Sequence, residues 1–306
     1  VGHLAFVVPN YVWWEAPFYG IGLRIYDLLA GRLGLGPSRR LSRDETLRLL
    51  PTIEPEGLKG GVVYYDGQFD DARLAVTLDR TAVDSVGLAV NYMPVVKLVK
   101  SLDLVRGVVA RDGESGAEYE IAAKVVVNAT GVFADRLRRM DEPDSADIIA
   151  PSQGVHLVLD RSFLPGECAV MVPRTDDGRV LFCIPWLGRV LVGTTDTQLD
   201  AVSAEPRPLA EEIDYLLEHA ARYLTKDPTR ADVLSAFAGI RPLVKASDAQ
   251  SSASLPRDHS VLVSKSGLVT IAGGKWTTYR KMAEDAVAQA VWVAGLEERP
   301  CVTEPL

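Results

Sequence analysis

Residues 267–295 contain the feature that most constrains the fold of this chain. A short apolar run, Gly267–Lys275, ends in two glycines and a lysine, and a helical pattern, Thr277–Ala294, follows at once. Gly295 comes directly after the helical pattern, where glycine commonly ends a helix, and Thr277 or Thr278 is expected to cap its start. The free amides and positive dipole end of such a helix favour a negatively charged ligand, and Lys275 adds a full positive charge. An ordinary tight strand-to-helix turn would need the glycines but not the lysine, so both interpretations stay open.

The remaining chain changes character near residue 150. Before it, the pattern predicts a helix beginning at Asp70 or Asp71, a strand at Leu88–Tyr92, antiparallel strands at 95–110 and 117–122, and an apolar strand at Lys124–Gly131. The valine run in this last strand is typical of a strand buried on both faces of a parallel sheet. From Pro151, short β-runs separated by Gly, Pro and Asp predict a mixed or antiparallel sheet. The expected fold class is α/β and α+β, with a β-meander inserted into the α/β part.

Composition and charge narrow the range of partners. The 306 residues carry 33 basic and 41 acidic side chains, a net charge of −8, so there is no surplus of positive charge to neutralise a nucleic-acid backbone. An odd number of cysteines without metal or redox spacing argues against a disulfide framework: Cys168, Cys183 and Cys301. We therefore expect reduced thiols in a cytosolic setting, and we predict no metal site because the histidines also lack ligand spacing.

The most apolar stretch is Tyr11–Leu35, which begins with the pair Trp13 and Trp14. Four charged residues interrupt it, so it cannot be the uncharged helix of about 20 residues that spans a bilayer. We expect a helix buried against the rest of the protein. A helix that touches a membrane interface, with the tryptophan pair as an anchor, is the alternative.

Three side chains are candidates for chemistry on the residues alone. Arg241 directly precedes a proline in an extended segment, where a guanidinium group can grip a phosphate or carboxylate through two bonds, and Arg257 carries the same potential. Each is equally compatible with an ordinary surface arginine. His156 alternates with apolar neighbours and so points to the opposite face of its strand, where it could handle a proton or form a structural hydrogen bond. Asn128 begins a glycosylation pattern, which we discard because it ends a strand expected to be buried.

Seven short motifs together resemble the family of FAD-dependent glycerol-3-phosphate dehydrogenases. They occur in the family's order across essentially the whole chain: His3–Phe6, Asp70–Leu74, Val127–Gly131, Ile184–Trp186, Gly193–Asp196, Gly239–Pro242 and Gly273–Lys281. The last of these, Gly-Gly-Lys-Trp-Thr-Thr-Tyr-Arg-Lys, is the most specific.

This resemblance implies an FAD-binding, Rossmann-like domain interleaved with a mixed-sheet substrate (cap) domain. The FAD-binding domain would comprise residues 66–134 and 247–306, and the substrate domain residues 1–65 and 135–246. The activity implied is the oxidation of sn-glycerol 3-phosphate to dihydroxyacetone phosphate, with FAD passing electrons to a quinone at the membrane. The implied location is cytoplasmic and peripheral to the inner membrane, and a homodimer is left open.

The resemblance also implies roles for individual residues. Arg241 and Arg257 would bind the substrate phosphate, and Lys275 would lie beside the flavin and the substrate hydroxyl. His156 is the candidate proton acceptor, a role that Lys275 or Arg241 could share. FAD contacts would come from two segments, Ala129, Thr130 and Gly131, and Gly273, Gly274, Lys275, Trp276 and Thr277. Trp276 stands where a smaller aliphatic residue is usual in the family, so the packing at the flavin edge is expected to differ.

The sequence departs from the family pattern at its ends. The family's opening βαβ unit with its glycine fingerprint, which holds the FAD pyrophosphate, has no counterpart here, nor does its C-terminal helical extension. We therefore expect an incomplete FAD-binding domain, from an internal portion of a longer protein, that alone binds FAD weakly and is inactive. A related flavin oxidase that uses oxygen or another hydroxy or amino substrate, and a non-catalytic module with a degenerate cofactor site, remain as alternatives.

Overall fold

The described residues, 2–173, 175–176, 178–245 and 258–303 of a computed structural model, form six α-helices and fifteen β-strands. The helices are α1 (Glu15–Ala30), α2 (Arg43–Leu49), α3 (Asp71–Asp84), α4 (Ala134–Asp141), α5 (Ala210–Ala221) and α6 (Tyr279–Ala294). The strands are β1 (Gly2–Asn10), β2 (Arg39–Ser42), β3 (Gly60–Gln68), β4 (Val95–Ser101), β5 (Leu104–Arg111), β6 (Glu118–Ala122), β7 (Val127–Asn128), β8 (Ile149–Asp160), β9 (Ala169–Val172), β10 (Leu181–Trp186), β11 (Arg189–Gly193), β12 (Thr197–Gln198), β13 (Ser235–Val244), β14 (His259–Val263) and β15 (Val269–Gly273).

The chain divides into two compact units, each built from separate stretches of sequence. Unit 1 comprises Val1–Asp70, Gln153–Thr197 and Glu205–Gly239, and unit 2 comprises Asp71–Ser152, Gln198–Ala204 and Ile240–Leu306. These ranges do not coincide with the four segments expected from the family resemblance. Which of those segments bind FAD and which bind the substrate stays a prediction.

Unit 1 is built on a mixed sheet in the order β12-β8-β11-β10-β9-β1-β3-β2, with β13 beside β8. Strand β1 runs antiparallel to β3 and parallel to β9, and β8 to β11 form an antiparallel arrangement. Alternation along β8 explains its position, because Val155, Leu157 and Leu159 are fully buried in a core that also contains Leu216 of α5. The intervening His156 lies on the other face, as its phase predicts.

Unit 2 contains two three-stranded sheets, β14-β15-β7 and β4-β5-β6. Strand β15 runs antiparallel to β14 and parallel to β7, which places the carboxyl ends of β7 and β15 at the same edge of their sheet. One small core contains Leu98, Val105 and Leu268, and another contains Ile149 and Ala272. Helix α6 ends as predicted, with Gly295 in the left-handed region at φ 63°.

Three strand predictions before residue 132 are wrong. Leu88–Tyr92 is not a strand, because Tyr92 adopts φ 54° and its carbonyl accepts a bond from the amide of Gly113 in the neighbouring turn (2.8 Å). The segment 95–110 is two strands, β4 and β5, joined at Leu102 and Asp103, which both have positive φ. The valine run yields only the two-residue β7, and Val127 is 41% exposed rather than buried on both faces.

Helix α1 confirms the predicted helix but not its burial. Its outward residues are largely exposed, with Phe18 at 64% and Leu29 at 82%. The buried residues of α1 are Glu15 and Gly20. Glu15 closes the start of the helix by accepting bonds from the amides of Tyr11 and Val12 (2.8 and 2.9 Å). Among the described residues, no helix is both long and apolar enough to cross a membrane.

Candidate active site

Most of the predicted cofactor-binding residues lie at the carboxyl ends of the neighbouring strands β7 and β15. In the parallel register, Asn128 stands opposite Thr270, so the turn after β7 and the turn after β15 open at the same edge. The residues after β7, Ala129 and Thr130, are exposed, and the helical turn that begins at Gly131 contacts β15. Ligands of open α/β sheets bind at such carboxyl ends, and this edge is therefore the candidate cofactor site of unit 2.

Asn128 holds the turn after β7 in place. Its side chain is fully buried, and its Nδ2 donates to the carbonyl of Ala134 (3.0 Å) and to Oγ1 of Thr270 (3.3 Å). Its Oδ1 accepts a bond from the hydroxyl of Thr130 (2.7 Å). This burial agrees with the rejection of the glycosylation pattern. This role cannot be inferred from the local sequence, because one partner lies 142 positions away in the chain.

The two glycines after β15 are required by the turn itself. Gly273 and Gly274 have φ 77° and 78°, a region that other residues rarely adopt. A Cβ on Gly273 would lie 2.8 Å from the carbonyl oxygen of Asp258, and one on Gly274 would lie 2.5 Å from Sδ of Met282. The glycines are therefore explained by backbone conformation and by contacts inside the protein. They do not by themselves indicate a ligand.

Lys275 and the residues after it are exposed at the mouth of this turn. The predicted threonine cap is wrong: the hydroxyl of Thr278 bonds back to the carbonyl of Lys275 (3.0 Å) and makes no side-chain cap to α6. The first turn of α6 contains no acidic residue. Trp276 is 38% exposed and its ring lies 5.5 Å from that of Tyr279. An exposed backbone turn, a helix start and a lysine fit an anionic group such as those of FAD.

An ion pair, and a histidine hydrogen-bonded to its carboxylate, lie beside this turn. Nε2 of His259 lies 2.8 Å from Oδ2 of Asp285, and Nζ of Lys281 lies 2.9 Å from the other carboxylate oxygen. Hydrogen bonds from Lys281 and from His259 hold the pKa of Asp285 below its usual range. Cβ of His259 is within 3.2 Å of the position that a Cβ on Gly274 would take, so His259 lies beside the turn. Its contact with Asp285 joins the start of β14 to α6 at this place. No local sequence pattern indicated this contact.

The two candidate arginines have different outcomes. Arg241 lies on β13 in unit 2 and is partly buried. Val244, three residues further along β13, reaches within 2.9 Å of the Cβ position at Gly273, so the end of this strand lies beside the glycine turn. Arg257 lies outside the described residues.

His156 belongs to unit 1, where two contacts fix its ring. It pairs with Gly193 in the β8–β11 ladder, and a Cβ on Gly193 would lie only 2.2 Å from Cδ2 of the imidazole. The ring stacks on Phe237, with centroids 5.3 Å apart and planes 10° from parallel. The imidazole thus occupies the space left by the missing side chain at Gly193 and packs against the ring of Phe237.

The buried thiol of Cys183 is not a candidate nucleophile. Burial raises the pKa of the Cys183 thiol to about 12, which keeps it protonated and unreactive at neutral pH. The described part of the chain contains no cluster of three or more His, Cys, Asp or Glu side chains able to hold a metal ion. The absence of a metal site stays a prediction.

A match to a known protein family defines the class of the protein. The FAD dependent oxidoreductase family matches residues 19–280, which is most of the chain, and the chain belongs to this family. The expected mixed α/β fold and the expected family are thereby confirmed.

Individual proteins of the family are similar to this chain over nearly its whole length. The chain is 42% identical over 308 residues to the mitochondrial glycerol-3-phosphate dehydrogenase of Macaca fascicularis, covering 98% of this chain and 42% of that protein. It is 40% identical over 324 residues to the mitochondrial glycerol-3-phosphate dehydrogenase of Schizosaccharomyces pombe, covering 99% of this chain and 50% of that protein. The structure of glycerol-3-phosphate dehydrogenase from Bacillus halodurans, complexed with FAD, has a TM-score of 0.81 and 34% identity, covering 99% of this chain and 53% of that one. The chain therefore spans about half the length of these relatives or less.

Proposed function

We propose that this chain serves the FAD-dependent oxidation of sn-glycerol 3-phosphate to dihydroxyacetone phosphate, with the electrons passed on to a quinone. The observation that carries the proposal is the identity of 42% to a glycerol-3-phosphate dehydrogenase over 98% of the chain. The exposed turn at Gly273–Thr277, on the same sheet edge as Ala129–Gly131, supports an anionic cofactor there. In this proposal residues 66–134 and 247–306 serve the cofactor, and residues 1–65 and 135–246 serve the substrate.

The reaction needs three things from the protein's own residues. The C2 hydroxyl must lose a proton to a base, and His156 is the proposed acceptor, with Lys275 and Arg241 as the other candidates. The phosphate must be held, which suits the guanidinium groups of Arg241 and Arg257. FAD, when bound, would supply the acceptor for the hydride that leaves C2 as the carbonyl forms. The helix start after Lys275 would favour the negative charge that this leaves on the cofactor.

Turnover by the full-length protein that carries this sequence tests the proposal. We expect reduction of a dye or quinone with sn-glycerol 3-phosphate under anaerobic conditions, without a requirement for oxygen. Lys275→Met should lower kcat/KM by about 100-fold or more, because a charge at the reacting centre is lost. Lys265→Met, an exposed lysine of the same unit, is the matched control and should change it less than twofold. No turnover with glycerol 3-phosphate, or turnover only with oxygen as acceptor, would refute the proposal as stated.

The same proposal includes peripheral association with a membrane, and the outward face of α1 supports it. Five large apolar side chains follow one another at helical spacing and are at least half exposed: Phe18, Ile21, Ile25, Leu28 and Leu29. Trp13, just before the helix, is also largely exposed. An apolar helix face of this kind, with a tryptophan at its end, is typical of a helix that lies in the bilayer interface.

Charges around α1 favour an anionic surface as the partner. Residues 24–48 contain six arginines and three acidic residues in a chain whose net charge is −8. One of the acids, Asp27, accepts bonds from the amide and hydroxyl of Ser38 (2.7 and 2.6 Å), and another, Glu45, pairs with Arg39 at 3.1 Å. Arg24 and Arg32 lie in the helix and in the turn after it, both exposed. Anionic headgroups would attract this local excess of positive charge.

Sedimentation of the chain with lipid vesicles tests this part. We expect binding to vesicles that contain phosphatidylglycerol, weaker binding to neutral phosphatidylcholine, and a decrease with added salt. Leu29→Glu should weaken binding by about 5- to 30-fold, from the loss of about 1–2 kcal/mol of apolar burial. Leu187→Glu, at an equally exposed leucine in the β10–β11 turn, is the matched control and should leave binding unchanged. Equal effects of the two substitutions would exclude α1 as the contact surface.

A further inference from the structure

Glu212 is a buried carboxylate that the proposed reaction does not use. It lies in the first turn of α5 and is 3% exposed. Its Oε1 accepts bonds from the hydroxyls of Thr195 (2.9 Å) and Thr197 (2.6 Å). Its Oε2 accepts bonds from Nε2 of Gln153 (2.7 Å) and from the amide of Leu209 (2.9 Å). The bond from Leu209 is an ordinary helix cap, but the other three come from outside the helix.

These three donors lie in the two segments that surround His156. Gln153 precedes His156 by three residues on β8. Thr195 and Thr197 follow Gly193, the residue whose missing side chain leaves room for the imidazole. The hydroxyl of Thr195 also accepts a bond from the amide of Val155, the immediate neighbour of His156 (3.0 Å). The buried carboxylate of Glu212 thus links β8, which contains His156, to the 193–197 segment beside it.

A helix cap alone would not require this arrangement. One accepted bond satisfies the cap, and a buried carboxylate is costly unless hydrogen bonds compensate for its lost hydration. Here the compensation comes from three side chains of the β8 and 193–197 segments, so the geometry of those segments depends on the carboxylate. Removing it would leave the hydroxyls of the buried Thr195 and the partly buried Thr197 without this acceptor, and would leave Nε2 of Gln153 with the carbonyl of Arg207 (3.1 Å) as its described acceptor. The 193–197 segment could then shift against the imidazole.

We propose that Glu212 is a positioning residue for His156. Its carboxylate fixes the 193–197 segment and the Gln153–Val155 part of β8, and through them the orientation of the imidazole proposed to accept the substrate proton. The reaction itself rests on the proposed function above. The orientation of His156 does not, and it can be measured on the chain directly.

NMR of histidine-labelled protein tests the orientation. The chain has four histidines, so the ring signals of His156 can be assigned by comparison with His156→Gln. We expect Glu212→Ala to shift or broaden the ring signals of His156 while the other three histidines keep theirs. Glu211→Ala, an exposed neighbour on the same helix turn, is the matched control and should change none of them. Unchanged His156 signals in a folded Glu212→Ala protein would overturn the proposal.

Two further variants keep the test decisive if Glu212→Ala does not fold. Glu212→Gln keeps the size and part of the hydrogen bonding, and Thr195→Val removes the hydroxyl that links Glu212 to Val155. Both should move the His156 signals, and the double variant should move them little further, because both break the same link. In the full-length enzyme each should lower kcat by about 10- to 100-fold with KM within about twofold, as expected for a misplaced catalytic group.

The outcomes separate this proposal from the proposed function. A loss of thermal stability without any change in the His156 signals would show that Glu212 is only structural and would overturn the inference. Shifted His156 signals in a protein that does not oxidise glycerol 3-phosphate would support the positioning role and refute the assigned reaction. A rise in KM with unchanged kcat would also overturn the inference.

Discussion

Gly193→Ala gives the sharpest test of how His156 is held. A methyl group at this position would lie 2.2 Å from Cδ2 and 2.7 Å from Nε2 of the imidazole, whereas an ordinary contact begins at 3.4 Å. The ring must therefore retreat by about 1.2 Å, which would disturb its stacking on Phe237. Overpacking of this kind costs about 1–3 kcal/mol of folding free energy. A displacement of about 1 Å at a catalytic group lowers kcat by about 100-fold.

Urea unfolding in two backgrounds isolates the clash. In the native sequence, Gly193→Ala should lower the free energy of unfolding by about 1–3 kcal/mol. In a His156→Ala background the ring is gone, so the same substitution should have an effect below about 0.5 kcal/mol. Gly239→Ala is the matched control, because a Cβ there meets nothing within 4 Å, and it should change stability by less than about 1 kcal/mol.

The reasoning fails if Gly193→Ala destabilises both backgrounds equally. That result would mean that the glycine is needed for the backbone of β11 and not for the imidazole. It also fails if the variant keeps full kcat and unchanged His156 ring signals in NMR, because the ring would then have room that the contact distances deny.

Three other predictions concern unit 2 and the thiols. Asn128→Ala should lower the free energy of unfolding by about 1–3 kcal/mol, because the buried Ala134 carbonyl and Thr270 hydroxyl would lose the hydrogen bonds that Asn128 donates. Urea unfolding measures this beside the exposed control Asn91→Ala, and equal effects of the two substitutions would contradict it. The pKa of Asp285 is lowered in the folded state, so its stabilising contribution is complete above its unfolded pKa of about 4 and is lost as pH falls through the folded value. Asp285→Asn should therefore reduce the decrease in unfolding free energy below about pH 4, measured by urea unfolding at a series of pH values. An unchanged decrease in the variant would contradict a stabilising role for the contacts of Asp285. Cys301, exposed and with its pKa lowered by the Thr303 hydroxyl, should be the one thiol that reacts quickly with DTNB in the folded protein, and a second fast thiol would contradict the burial of Cys168 and Cys183.

Features with a local cause could be predicted from the sequence. The phase of His156 follows from the apolar residues on either side of it, because strand alternation has a period of two. The end of α6 at Gly295 follows from the tolerance of glycine for the left-handed region. The turn between β15 and α6 could be predicted for the same reason, since a strand that leads into a helix through glycines is a local signal; a cofactor at this turn stays a prediction.

Features that depend on distant partners could not be predicted in this way. The hairpin between β4 and β5 turns at Leu102 and Asp103, which both have positive φ. Aspartate tolerates this region, but leucine rarely adopts it and no glycine follows, so the turn signal is weak. The roles of Asn128 and Glu212 depend on partners far along the chain, and their own sequence surroundings contain only a discarded glycosylation pattern and a helix start. The predicted burial of α1 was wrong. An apolar helical pattern indicates that one face of a helix contacts an apolar surface, but it does not distinguish protein from lipid.

The glycine turn after β15 shows where structural requirement ends and chemistry begins. Gly273 and Gly274 are fully explained by positive φ and by neighbours that leave no room for a Cβ, so their presence would be required even in a protein without a cofactor. No such requirement applies to Lys275, whose side chain is exposed and whose backbone is extended at φ −129°. An exposed lysine at a helix start that carries no acidic residue adds positive charge where the helix dipole is already positive, which disfavours folding slightly unless an anion is bound. Lys275 is therefore the residue of this turn whose presence is best explained by a ligand, and substituting it should change ligand binding while leaving stability unchanged or slightly higher.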